Sequence, residues 1–492
     1  METANYIAGE WVSSERIFSS VSPEDGSVLG VAALASQDDV CKAVSAARAA
    51  FPAWSETSVA DRAKYVLRAA EILAAEYGNM GDPTPLKELI RTEMGKRLAE
   101  ADIEVIESSD MLRFFAEQGP HCLADRPIAL NHELWPTKRS TIGFLPLGIV
   151  GVIKPWNYPL ELPLWAIGAA LVAGNSVVFK PSELTPFVGA KIVDVFKRAE
   201  LPKGVLNMVT GDGTTGAALV EHPDVDMVSF TGSIPVGREI ARKCAERLCR
   251  FSLELGGKDA MVVLPDADLD LAVNGAVWGA FTNCGQVCVG VRRLLLASAI
   301  KKEFILRFTE ATQALRIGKD IGPLVSEAQR ARVEAHVQQA LRLGAKALRG
   351  ARRPDGTEVE GGYFYLPTIL TDTTSEMLVE TEDTFGPVVF IKEFSTDEEA
   401  IAITNSVPYD LGASVWTRDA KRGLEFARKL RTGMVWINDV NVAFPQAPWC
   451  GHRWSGHGIE LSEYSFREYA ATRHTNSELG SDKRRAWWFP YA

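Results

Sequence analysis

Cys288 closes the run Phe281-Thr282-Asn283-Cys284-Gly285-Gln286-Val287-Cys288. A thiol at the end of a helical stretch can act as a nucleophile when a base or a polarising environment draws off its proton. Taken alone, such a cysteine reads more readily as a small buried hydrophobe. Cys284 and Cys288 do not read as a zinc pair. No further ligand stands in close spacing and the 7 His show no metal-site pairing, so no metal is expected.

A second group of residues could hold a nucleotide. Val177-Val178-Phe179 runs into Lys180-Pro181-Ser182-Glu183. At the carboxyl end of a parallel strand, Lys180 can donate to ribose hydroxyls. Glu183 can accept from an adenosine 2′-hydroxyl and repel a 2′-phosphate, which favours NAD over NADP. A solvated Lys–Glu pair on a loop accounts for the segment equally well. Gly232-Ser233 opens a helix whose free N–H groups can face a pyrophosphate, or Ser233 is a plain cap. Gly211-Asp212-Gly213-Thr214-Thr215-Gly216 matches a dinucleotide fingerprint in form. The strand after it ends Ser229-Phe230-Thr231-Gly232, without the acidic residue that grips a ribose, so an ordinary glycine turn is the better reading.

These side chains need a scaffold. Between Ile149 and Val263, short β-branched runs (Ile149 to Ile153, Ser176 to Phe179, Val205 to Val209, Met227 to Phe230, Met261 to Leu264) alternate with helical stretches. That alternation predicts a parallel sheet with helices on both faces. Ala-rich helical spacing from Asp38 to Tyr77, and helical spacing from Leu86 to Phe115 with a break at Gly95, predicts surface helices packed on another part of the molecule. A second α/β region follows, with a helix around Leu269 to Phe281 and strands near Val388 to Ile391, Ala413 to Trp416 and Val435 to Ile437. The aromatic end, Trp487-Trp488-Phe489, is expected to dock on its own or a neighbouring subunit.

Composition narrows the function. The chain has 492 residues, 46 % hydrophobic and 24 % charged, which is globular, and about three domains are expected. A formal charge of −10 disfavours generic nucleic-acid or anionic-membrane binding. The apolar stretch Leu162 to Gly174 is too short to span a bilayer, and the N-terminus lacks a secretory pattern, so a cytoplasmic location is expected. The 7 scattered cysteines make no disulfide framework.

Four motifs read together change the weight of these alternatives: Trp156-Asn157-Tyr158-Pro159, Lys180-Pro181-Ser182-Glu183, Leu253-Glu254-Leu255-Gly256-Gly257-Lys258 and Gly285-Gln286-Val287-Cys288. In order and spacing the chain resembles the NAD(P)-dependent aldehyde dehydrogenase superfamily, from Tyr6-Ile7-Ala8-Gly9 through Thr384-Phe385-Gly386-Pro387 to Ser455-Gly456-His457-Gly458. The resemblance implies an α/β fold with a Rossmann-like cofactor domain (1–122 and 146–256) and a second α/β catalytic domain (257–454). It also implies a small β oligomerisation arm with the C-terminal tail (123–145 and 455–492), in a homodimer or homotetramer.

It further implies that Cys288 is the nucleophile, that the Asn157 amide and the Cys288 N–H form an oxyanion hole, and that Glu254 is the general base. The intermediates would be a thiohemiacetal and a thioester. A glutamate at position 254 favours hydrolysis to the acid over transfer to coenzyme A. NAD would contact Trp156, Lys180, Glu183, Gly232, Ser233 and Phe385. Asp383, where the family usually has Glu, would hold the nicotinamide ribose less well, being one methylene shorter. Cys450 replaces a residue without a side chain in Pro448-Trp449-Cys450-Gly451, so a strained or altered substrate mouth is expected.

The positions that bind a distal carboxylate in succinate semialdehyde dehydrogenases correspond to Thr282 and Trp165, neither basic. Tyr158, Trp165 and Trp449 instead resemble part of the aromatic box of betaine-aldehyde and aminoaldehyde dehydrogenases, with Asn441 and Phe444 near the mouth. An amino or trimethylammonio aldehyde is the expected substrate. A broad-specificity aliphatic or aromatic aldehyde dehydrogenase, and a non-catalytic protein on the same fold, are the alternatives.

Overall fold

In the computed structural model, which describes residues 1–356 and 359–481, two open sheets meet at the segment joining Glu254 to Asp259. The first sheet has a core of five parallel strands. Their spatial order is Leu206–Met208, Ser176–Lys180, Ile149–Ile153, Met227–Thr231, Arg250–Glu254. Ile149–Ile153 and Ser176–Lys180 are buried at every residue, as strands covered by helices on both faces must be. Gly456–His457 closes one edge antiparallel, and Asn5–Ile7 with Glu10–Val12 closes the other.

Chain direction across this sheet reverses between Ile149–Ile153 and Met227–Thr231. At such a switch point the loops leaving the two strands part, and a crevice opens beyond their carboxyl ends. The loops here are Lys154 to Asn157 and Gly232-Ser233.

One expectation is corrected. Asp259–Val263 does not belong to the first sheet. It lies inside the second, between Val291–Ala297 and Gly412–Trp416. The neighbour of Met227–Thr231 is instead Arg250–Glu254, which the β-branched pattern missed because Arg250 and Glu254 cap a short run containing Ser252. Gly256-Gly257 carries the chain from sheet to sheet; a Cβ on Gly257 would lie 2.5 Å from the Cys288 carbonyl oxygen. The second sheet has seven strands, six of them parallel, and Cys288 lies just before its strand Val291–Ala297.

The expected helices form as Gln37–Glu56 and Val59–Tyr77, then Pro85–Met94 and Leu98–Cys122, with Gly95 left-handed at φ +90° in the break. Glu161–Val172 is buried on all sides and forms the core of the first layer. Among the described residues no helix is long and apolar enough to cross a membrane. Lys138–Pro146 pairs antiparallel with Ala470–Glu478 along its length, with Arg126–Ile128 on its other side. The aromatic C-terminal run lies outside the described residues.

Candidate active site

The loop bearing Cys288 is held in an uncommon conformation. Helix Leu269–Phe281 stops, and Asn283, Cys284 and Gly285 then turn left-handed at φ 52°, 53° and 70°. For the two non-glycine residues this costs on the order of 1–3 kcal/mol each, and it persists only where the surroundings over-determine it. They do. The Asn283 N–H donates to Glu100 Oε1 at 2.5 Å and its amide donates to the Asn157 carbonyl at 3.0 Å. Gln286 donates to the Asn283 carbonyl at 3.1 Å and accepts from the Val325 N–H at 2.9 Å. The Arg292 guanidinium donates to the Gly285 and Val287 carbonyls at 2.7 and 2.9 Å. A Cβ on Gly285 would lie 2.2 Å from the Gly386 oxygen, so only glycine fits there.

Cys288 forms part of the wall of two cavities. The larger, about 320 Å³, opens at the switch point of the first sheet and is lined by Trp156, Asn157, Gly232, Ser233, Asp383 and Phe385 besides Cys288. The smaller, about 40 Å³, lies on the other side of the thiol and is lined by Tyr158, Trp165, Asn441 and Trp449.

The larger cavity suits a dinucleotide. Ser233 precedes helix Ile234–Glu246 and makes no side-chain cap hydrogen bond, so its hydroxyl is uncommitted beside free backbone N–H groups. Trp156 and Phe385 meet edge to face, with centroids 5.5 Å apart. Asp383 accepts from Arg292 at 3.3 Å and from the Phe385 N–H at 3.1 Å. It packs so closely that a Cβ on Gly256 would lie 2.9 Å from its carboxylate. Lys180 and Glu183 stand outside the cavity lining, at the end of strand Ser176–Lys180, 3.4 Å apart. Gly211 to Gly216 also stands outside it, and Asp212 caps helix Gly213–Glu221.

Charge at the thiol is governed by burial. Asn157 donates to the Gln286 carbonyl at 3.0 Å, which fixes its amide beside the loop and leaves it a second proton. Burial first, then the charge of Glu460, hold the Glu254 carboxyl well above the usual carboxylate range; Lys154 and the Gly451 N–H oppose them. Glu254 Oε1 is buried without a hydrogen-bond partner. Lys154 itself donates to Glu460 at 2.9 Å. Burial also pushes the Cys288 thiol up, with Glu254, Asp259 and Asp383 adding to it and the Val289 N–H opposing. Glu254 lines neither cavity, and its charge acts on the Cys288 thiol.

Residues 11–475 match the model of the aldehyde dehydrogenase family. The chain belongs to that family. It is 37 % identical over 486 residues to a betaine aldehyde dehydrogenase of Bacillus subtilis (strain 168), covering 96 % of this chain and 97 % of that one. It is 36 % identical over 502 residues to peroxisomal aminoaldehyde dehydrogenase 1 of Pisum sativum, covering 99 % and 97 %. A crystal structure of betaine aldehyde dehydrogenase from Staphylococcus aureus in complex with NAD+ superposes with a TM-score of 0.94 at 32 % identity, covering 99 % of this chain and 96 % of that chain.

The smaller cavity of this aldehyde dehydrogenase contains residues that the sequence reading missed. Glu107 and Glu161 also line it. Burial, Glu104 and Asp110 push the Glu107 carboxyl up to about 7 against Lys96. Burial, Glu107 and Glu104 hold that of Glu161 well above the usual range. Lys96 is buried behind the pocket, 2.6 Å from Glu104 and 3.4 Å from the Tyr158 ring centroid. Trp165 and Trp449 meet at 5.4 Å, and Trp436 stands 6.3 Å from Trp449. The signals were present: Glu161 is the sole charge from Leu160 to Val172, and Glu100, Glu104 and Glu107 share one face of a helix.

Two residues expected at the mouth are placed differently. Phe444 is exposed and lines neither cavity. Cys450 is buried, outside the left-handed region, with its thiol 4.0 Å from the Gly433 carbonyl oxygen.

Proposed function

We propose that this aldehyde dehydrogenase oxidises an aldehyde bearing a cationic nitrogen to the carboxylic acid, with NAD as cofactor. The observation that carries this is the position of Cys288 between a dinucleotide-sized cavity and a small one walled by indoles and carboxyls. The relatives named for betaine aldehyde and for aminoaldehydes, and the NAD+ complex of the structural neighbour, support both halves.

NAD, when bound, supplies the hydride acceptor at the substrate carbon. The residues to hold it are Ser233 and the helix start at its phosphates, Trp156 and Phe385 near the nicotinamide, and Asp383 at a ribose, with Lys180 and Glu183 at the adenosine end. Glu254, directly or through water, takes the proton of Cys288, and the sulfur bonds to the aldehyde carbon. The oxygen that becomes negative accepts from the second Asn157 amide proton and from the Cys288 N–H, a kind of contact worth about 3 kcal/mol of barrier per donor. Loss of hydride leaves a thioester on Cys288. Glu254 passes the first proton to solvent and then takes one from water, which attacks the thioester; the C–S bond breaks, the acid is released, and the proton on Glu254 returns to the sulfur as the thiol. The small cavity orients the substrate: Lys96 is taken by Glu104, and Glu107 and Glu161 present two carboxyl groups whose ionisation a cationic nitrogen would favour. The paired strands Lys138–Pro146 and Ala470–Glu478 are the expected subunit arm of a cytoplasmic homodimer or homotetramer.

A panel of aldehydes of matched chain length, neutral and cationic, tests this by NADH absorbance. Cationic members should show kcat/KM at least about tenfold higher, as expected for one desolvated cation–aromatic contact reinforced by charge. Hexanal or benzaldehyde outperforming them would overturn the substrate reading, and no NADH from any aldehyde would overturn the activity.

A further inference from the structure

The small cavity has two carboxyl groups besides its aromatic walls. Glu107 and Glu161 both face it, and among the described residues neither carboxyl is in an ion pair. The cation that acts on both, Lys96, is already committed to Glu104 at 2.6 Å and to the Tyr158 ring at 3.4 Å. Tyr158 therefore offers a ligand cation at most one free face.

These facts separate two kinds of cationic nitrogen. A trimethylammonio group presents methyls and no N–H; aromatic faces recognise it, and carboxylates can only attract it across the methyl shell. An ammonium group brings up to three donors that make short, charge-assisted bonds to carboxylates. Trp165 acts on Glu161 as a hydrogen-bond donor, and an ammonium would supply donors to the other carboxyl oxygens of this wall.

We propose that Glu161, with Glu107 in the same wall, is a specificity-determining residue that ranks aldehydes whose cationic nitrogen bears N–H above their N-trimethylated counterparts. This rests on the cationic-aldehyde reading above and goes further, since that reading admits both kinds.

The test compares kcat/KM for 3-aminopropanal and 4-aminobutanal, their N-trimethyl counterparts and neutral alkanals of equal length, in the wild type, Glu161→Gln and Glu161→Leu. The expected result is a wild-type amine-to-trimethyl ratio of about tenfold or more, falling toward unity in both variants mainly through KM for the amines. If the trimethyl forms do as well as the amines in the wild type, and both beat the alkanals, this inference is overturned while the cationic reading stands. A high ratio that Glu161→Gln leaves unchanged removes Glu161 from the role. Alkanals that match the cationic aldehydes defeat the underlying reading itself. The wild-type ratio needs no variant, so misfolding of Glu161→Leu leaves the test intact.

Discussion

The two cavities that meet at Cys288 are built by different means. The side proposed for the cofactor is made of strand ends, a helix start and glycines, and its charged lining is tied up: Asp383 is paired with Arg292. The side proposed for the substrate is made of large side chains from separate helices and loops, and among the described residues its carboxyls are in no ion pair. Backbone groups at strand ends come with the fold, so they suit a ligand common to many relatives. Side-chain walls change by single substitutions and suit a ligand that differs among them.

The comparison is broken most sharply at the shared sulfur. Cys288→Ala should lower aldehyde oxidation by about 10³-fold or more while NAD affinity, followed by quenching of tryptophan fluorescence, stays within about twofold. A parallel loss of NAD binding would mean that the cavities are not separable.

Next in size is the support of the substrate side. Lys96→Met leaves Glu104 buried without its partner and should cost about 3–5 kcal/mol of unfolding free energy by denaturant titration. A loss below about 1 kcal/mol would show that the pair is not structural.

The smallest effect concerns pH. Burial, with Glu104 and Asp110 adding to it against Lys96, pushes the Glu107 carboxyl up to about 7, so the cavity gains negative charge as pH rises through that value. The ratio of kcat/KM for a cationic to a neutral aldehyde should therefore rise several-fold from pH 6 to pH 8. Titration of Cys288 and Glu254 cancels in that ratio. A flat profile would place the carboxyls outside the recognition of charge.

Legibility followed the same division. The parallel strands near Ile149, Ser176, Val205 and Met227 were readable because burial on both faces demands continuous β-branched runs. Arg250–Glu254 was not, because its ends are charged and its place depends on pairing with Met227–Thr231, a contact remote in the chain. Cys288, Glu254 and Asn157 were readable as members of motifs. The acidic wall was missed because Glu107 and Glu161 lie on different helices, and neither segment says that the other faces it.

Local sequence, then, determined the elements, the residue types at Cys288, Glu254 and Asn157, and the strand end at Lys180 and helix start at Ser233, since these depend on residue type and short-range hydrogen bonding. Only the tertiary structure decided that one sulfur serves two cavities, that Lys96 covers Tyr158, and that two carboxyls share a wall. Burial and distance set the energies of such charges, and both arise when distant segments pack.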